Sequence, residues 1–476
     1  MNGTDAIALL PLIVLAGTAV LVMLATAVRR NHGFTLILTL AGLAAAFGCI
    51  WIAASTVPRQ VTSLLLIDDY SLFYFGLLIA ASFAVAILCY DYFEKHDINR
   101  EELYILLLIA TLGGAVLVAS SHFASFFLGL EMLSISLYAM VSYLPLRRLP
   151  LEAGIKYLIL AATSAAILLF GMALIYADLG TMNFSRVAYA LGAGSSSDTL
   201  LLCGVVLIIT GIGFKLAVFP FHLWTPDVYE GAPAPVAAFV ATVSKGAMFA
   251  LLLRYFYRSG ADANRQLLLV FTIIAIASMI GGNLLALLQD NVKRVLAYSS
   301  IAHMGYLLVA FLTGGQMGAR AVTFYLVAYF ITTLGAFGVV SVLSGGDAEA
   351  EHIADYQGLF WRRPALAGVF TVMLLSLAGI PMTAGFLGKF YIVAAGASSA
   401  NWALILILVV TSVIGLYYYL RIVAVMYFTP EQEPVLIAPQ ISTLGGVVLG
   451  TLAILLLWVG TYPSPLLNMI RTVFPS

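Results

Sequence analysis

The sequence predicts an all-α polytopic membrane protein of about 14 transmembrane helices, and three observations predict it. Hydrophobic residues make up 62% of the 476 positions and charged residues 9%, with a mean hydropathy of +1.05, a balance outside the range of soluble domains. Apolar runs of about 20 residues, enough to cross roughly 30 Å of hydrocarbon, recur along the chain. Lysine and arginine gather in alternate connections.

The runs are Ala6–Val28, Phe34–Ala54, Tyr70–Tyr92, Leu103–Ser120, Phe123–Leu144, Ile155–Ala177, Leu200–His222, Val236–Tyr257, Gln266–Leu288, Val292–Leu312, Arg320–Leu343, Pro364–Ala395, Trp402–Phe428 and Ser442–Tyr462. The first has no basic residue ahead of it and is too long for a signal peptide, so it reads as a span. In the seventh, Pro220 removes a backbone donor and clashes with the preceding turn, which predicts a break near Phe219 to Phe221. The twelfth is too long for one straight helix and carries Gly379, Pro381, Gly385 and Gly388, so it too reads as broken. Lys215 beside Pro220 and Lys389 beyond Pro381 form a faint internal symmetry, the pattern of repeats that meet at a transport site. The connections Asp178–Thr199 and Ser344–Arg363 read as ordinary loops.

With the N-terminus outside, twelve basic residues fall on the inner side: Arg29, Arg30, Lys95, Arg100, Arg147, Arg148, Lys156, Lys293, Arg294, Arg362, Arg363 and Arg421. Seven fall outside, namely Arg59, Arg186, Arg254, Arg258, Arg265, Arg320 and Arg471. Both termini are therefore expected outside, although the three arginines after span eight run against the bias. A formal net charge of zero leaves no basic footprint for nucleic acid. Cys49, Cys89 and Cys203 stand singly in apolar segments, which argues against a disulfide framework, a zinc site or an iron–sulfur cluster.

Six titratable groups lie within the apolar runs: Glu131, Lys215, His222, Lys245, His303 and Lys389. Ionisable groups at bilayer depth cost several kcal/mol, about 2.5 to 3.5 for a lysine, so they mark ion paths by default. Each also has a structural reading. Glu131 could be held by hydroxyls such as Ser134, but a neutral glutamine would serve at lower cost. Lys215 could snorkel to the interface along its stem, or pair with Glu131 as a switch. Lys245 has Thr242 and Ser244 beside it, which suits a hydrated cavity, or it could cap the kinked end of span seven. His222 could satisfy carbonyls freed at the break. His303 shares its helix with Tyr298, Ser299, Ser300 and Tyr306, which together can carry a chain of hydrogen bonds. Lys389 is either an interfacial anchor with Phe390 and Tyr391 or an amine facing the second break. GIGFK at Gly211 lacks the sheet context of a nucleotide site. With no redox or hydrolytic motif visible, the energy must come from an ion gradient or a partner.

Four long stretches, FLGLEMLSISLYAMVSY, GFKLAVFPFHLWTPDVYEGAPAPVAAFVATVSKGAMFALLLRYF, NLLALLQDNVKRVLAYSSIAHMGYLL and SLAGIPMTAGFLGKFYIV, strongly resemble the subunit N family of proton-pumping NADH–quinone oxidoreductase, respiratory complex I. The resemblance implies fourteen helices, two inverted five-helix repeats and broken helices 7 and 12. The chain then divides into helices 1 to 3 (1–102), a first repeat of helices 4 to 8 (103–257), a second of helices 9 to 13 (258–428) and a last helix (429–476). It also implies that Glu131 pairs with Lys215, that Lys245 joins two half-channels and that Lys389 lies near the exit. No cofactor is implied in this chain; quinone, flavin and iron–sulfur clusters are expected in partner subunits, and neighbouring antiporter-like subunits and the lipid bilayer are its expected surroundings. The fold is shared with multi-subunit sodium/proton antiporters, so an antiporter large subunit, or a structural spacer, stands as the alternative.

Overall fold

The computed structural model describes residues 2–96, 99–144, 147–192, 199–259, 265–345, 349–429 and 442–474. Thirteen helices among them are long and apolar enough to cross a bilayer, and the pair Pro364–Ala378 and Ala384–Ser398 supplies a further crossing in two halves. The fourteen predicted spans are all present as helices. Span eight (Ala234–Phe256), span ten (Val292–Leu312) and span eleven (Gly315–Leu343) are 100%, 89% and 94% buried, whereas span two (His32–Ala54) is 28% buried, so the first three form the centre and span two the rim.

Both broken spans end their first half the same way. In span seven, the helix Thr199–Leu216 closes with Ala217 in the left-handed region (φ 58°), its N–H bonded to Phe214 O and that of Val218 to Gly213 O. In span twelve, Gly379 (φ 89°) takes the same place, with Gly379 N–H on Ser376 O and Ile380 N–H on Leu375 O. These paired backward bonds are a Schellman stop, which satisfies end carbonyls that have no intrahelical partner. The helix of span seven therefore stops three residues before Pro220, earlier than the expected break. The second half, Trp224–Gly231, follows a turn in which Phe219 N–H is taken by Ser278 Oγ at 2.9 Å.

The second break also differs from expectation. It covers 379–383, and Gly385 and Gly388 lie inside the regular helix Ala384–Ser398 instead of loosening it. They permit close approach: a Cβ on Gly385 would lie 2.0 Å from Ser376 O, and one on Gly388 2.4 Å from the Tyr325 ring. The two long connections are not plain loops. The first holds the helix Phe184–Gly192, with Phe184 and Val187 buried, and the second a 3₁₀ turn, Ile353–Tyr356, and a short helix, Leu359–Arg362. A two-stranded antiparallel ribbon, Arg59–Val61 with Leu65–Ile67, and a C-terminal helix, Ser464–Val473, complete the chain.

The two ends of the chain meet one face. Asp5 pairs with Arg59 of the ribbon, and Phe474 O accepts from Arg320 Nη2 at 2.6 Å. The opposite face carries most of the remaining ion pairs, among them Arg30–Glu102, Arg100–Glu94, Lys156–Asp227, Arg294–Glu230 and Lys293–Glu349. Beside the last of these, burial pushes the Glu351 carboxyl up, against the pull of Lys293. Arg254, one of the three arginines that ran against the charge bias, is 4% exposed and bonded to Asp68, so it is not a free interfacial charge.

Spans four (Glu102–Ala119) and five (Phe123–Val141) touch through glycines. A Cβ on Gly113 would lie 2.6 Å from Leu133 N, and one on Gly129 2.8 Å from Leu117 N, both backbone atoms that cannot swing aside. Gly113→Val is expected to cost about 1–3 kcal/mol through overpacking, read as a lower thermal midpoint of the solubilised protein; an unchanged midpoint would contradict this contact.

Candidate functional site

Lys215 sits in the last turn of the first half of span seven and is 3% exposed, which excludes snorkelling. Its Nζ donates to Ser134 Oγ and to Tyr157 OH, both at 2.9 Å, and lies 5.4 Å from the Tyr157 ring centre. Ser134 in turn donates to Leu130 O at 2.6 Å and leaves Glu131 alone. Glu131 and Lys215 do not form an ion pair within 4.0 Å in this structure, and Glu131 Oε1 is buried with no hydrogen-bond partner among the described residues. The carboxyl is only half-buried because its helix face is shared with Leu128 and Ile135, which are 58% and 61% exposed. The pair is thus open, with the amine held by span five through Ser134.

Lys245 is fully buried and directly follows a π-helical turn, Val240–Ser244, a distortion frequent at functional sites. Its Nζ donates to Ser300 Oγ at 2.6 Å and lies 5.3 Å from the Tyr229 ring centre. It does not cap span seven; Trp224 Nε1 takes the end carbonyl of Phe214 at 3.0 Å. Thr242 donates to Ala238 O within its own helix.

His303 is 3% exposed, with Nδ1 2.6 Å from Tyr325 OH and Nε2 3.3 Å from Tyr419 OH. Tyr419 also bonds Ser299, one residue from the hydroxyl that holds Lys245. Lys389, at 8% exposure, is not an interfacial anchor, although its neighbour Phe390 is exposed. Its amine donates to Leu377 O and Ala378 O at 2.9 Å and to Ser412 Oγ at 2.8 Å, and lies 5.1 Å from the Tyr306 ring centre. It faces the break and caps the negative end of the half-helix before it. His222 lies inside the first break, stacked on Phe219 at 4.2 Å, with Nδ1 unpartnered among the described residues. It is not hydrogen-bonded to the other five groups.

Lys245, His303 and Lys389 are thus brought into one polar interior, and Lys215 approaches it through Tyr157, whose ring stacks on Trp224 at 4.8 Å. Tyr157, Tyr229, Tyr325, Tyr419 and Ser412 escaped the reading of the sequence, since a tyrosine in an apolar helix gives no sign of which way it points. Tyr325 and Tyr329, one helical turn apart, were the one available signal. Among the described residues none of the three amines has a carboxylate within 4.0 Å. No group of metal-ligating residues occurs among the described residues.

A family profile described as NADH:quinone oxidoreductase/Mrp antiporter, TM, matches residues 120–415. Proteins named NADH-quinone oxidoreductase subunit N from Nitrosospira multiformis and Methylococcus capsulatus are 54% and 48% identical, over 98% and 99% of this chain and 96% of each relative. The chain belongs to the NADH-quinone oxidoreductase subunit N family. The subunit N fold also matches a chain of respiratory complex I from Thermus thermophilus, at a TM-score of 0.82 and 32% identity over 96% of this chain and 98% of that one. A chain of the Mrp complex from a Dietzia species shares the fold, at a TM-score of 0.85 and 20% identity over 99% and 97% of the two chains. The family's multi-pass membrane architecture is the one observed here.

Proposed function

We propose that this chain translocates protons as a membrane subunit of NADH–quinone oxidoreductase, driven by quinone reduction in partner subunits that hold the quinone, flavin and iron–sulfur clusters. The supporting observation is the set of three buried amines, Lys215, Lys245 and Lys389, each held by neutral oxygens. Glu131, half-buried and unpartnered, is the group that a change in a neighbouring subunit reaches first. Closing it on Lys215 stabilises the charged amine and opening it releases the proton. The proton passes by Lys245 and the Tyr419–His303–Tyr325 hydroxyl chain to Lys389 and out. His222 lines the first break and has a lesser part. In this reading residues 103–257 and 258–428 are the two repeats, and both termini face the periplasm of a bacterial inner membrane.

Lys215→Ala and Glu131→Ala in the assembled complex are expected to lower coupled proton translocation by at least about a hundredfold, the lower end of what one positioned proton-transfer group contributes. Wild-type turnover and proton yield in both variants would defeat the proposal.

A further inference from the structure

The residue beside Lys389 touches the residue that bonds His303. Gly388 packs against one edge of the Tyr325 ring: a Cβ there would come within 2.4 Å of Cδ2, 3.2 Å of Cε2 and 3.4 Å of the Tyr325 Cα, so neither ring nor backbone leaves room for a side chain. Tyr325 is 1% exposed, and its hydroxyl lies 2.6 Å from His303 Nδ1, with the two rings nearly parallel at 18°. The other ring nitrogen faces Tyr419 at 3.3 Å. Neutral imidazole has one donor and one acceptor nitrogen, and the partner of each fixes which carries the proton.

We propose that Gly388 and Tyr325 are positioning residues that make the hydrogen bonding of His303 depend on the half-helix bearing Lys389. This rests on the relay reading above and adds its regulation. The Lys389 amine pulls on Leu377 O and Ala378 O across the break, so it ties the half-helix Ala384–Ser398 to Pro364–Ala378. When the charge of Lys389 changes, that tie changes, and the adjacent Gly388 carries the shift of its helix directly onto the Tyr325 ring. The Tyr325 hydroxyl then moves relative to Nδ1, and His303 connects to the chain only for one position of the outer half-helix.

The test compares proton translocation with quinone reduction by the whole complex in membrane vesicles carrying Gly388→Ala, Tyr325→Phe, both together, His303→Ala, or Gly368→Ala as control. Gly368 lies in the other half-helix with nothing within 4 Å of its missing Cβ. Each of the first two variants is expected to lower translocation by about fivefold, the worth of one hydrogen bond, with the double variant no worse than the poorer single one. The control stays at wild-type level. Additive losses, or Tyr325→Phe at wild-type translocation while His303→Ala is impaired, would overturn the proposal and leave the relay standing. His303→Ala at wild-type rates would remove the relay reading itself. If Gly388→Ala fails to assemble, Tyr325→Phe alone and with His303→Ala decides, since phenylalanine keeps the packing and loses only the hydroxyl.

Discussion

Lys245→Met is expected to leave the complex assembled while lowering its proton translocation by at least about a hundredfold. A buried amine normally makes such a substitution costly because a carboxylate is left unpaired, but Lys245 has none within 4.0 Å among the described residues. Its partners are Ser300 Oγ and the face of Tyr229. Methionine fills a similar volume, and trading a buried charge for an apolar group is often neutral or stabilising. Losing the one hydrogen bond to Ser300 costs about 1 kcal/mol. Assembly is read from the amount of intact complex in membranes and transport from proton uptake driven by NADH. Full translocation with full assembly would mean that the amine fills space and moves nothing.

Arg254→Leu is expected to do the reverse and abolish assembly. Arg254 Nη2 donates to Asp68 Oδ1 and to Ser71 Oγ, both at 2.7 Å, and its guanidinium stacks 4.7 Å from the centre of the Tyr70 ring. Leucine removes both of these charge-assisted hydrogen bonds at once, each worth about 1.5–3 kcal/mol, a large part of the stability of a typical domain. Asp68 is also the cap of span three, accepting from Ser71 N at 3.0 Å, a task that asparagine performs equally well. The double variant Asp68→Asn with Arg254→Leu is therefore expected to recover most of the complex lost in the single one, measured by its abundance in membranes. Equal loss in both would show that the pair is not what joins spans three and eight.

The long elements were legible because hydropathy and length decide a membrane helix, and Pro220 and Pro381 mark both interruptions. The stopping residues were less so, since a Schellman closure at Ala217 depends on backbone bonds that no residue type announces. Gly385 and Gly388 misled for a related reason: glycine signals flexibility and close approach alike, and only the neighbours Ser376 and Tyr325 show which applies. Phe184–Gly192 was missed because a short helix at the membrane surface lacks a long apolar run. The buried lysines stood out by their cost in lipid. Their hydroxyl partners did not, because Tyr157, Tyr419 and Ser412 cost little wherever they point. The separation of Glu131 from Lys215 lies beyond sequence altogether, because it is set by Ser134 and Tyr157 holding the amine.

The central claim is that the amines are joined by polar groups wet enough to pass a proton. Glu131 Oε1, His222 Nδ1 and Thr225 Oγ1 are all buried without a hydrogen-bond partner among the described residues, and buried polar groups of this kind normally hold ordered water. A density map of the assembled complex that resolves solvent tests this most directly. The account predicts waters bonded to these atoms and bridging Lys215, Lys245, His303 and Lys389. A dry interior, with those atoms packed against apolar side chains, would contradict it.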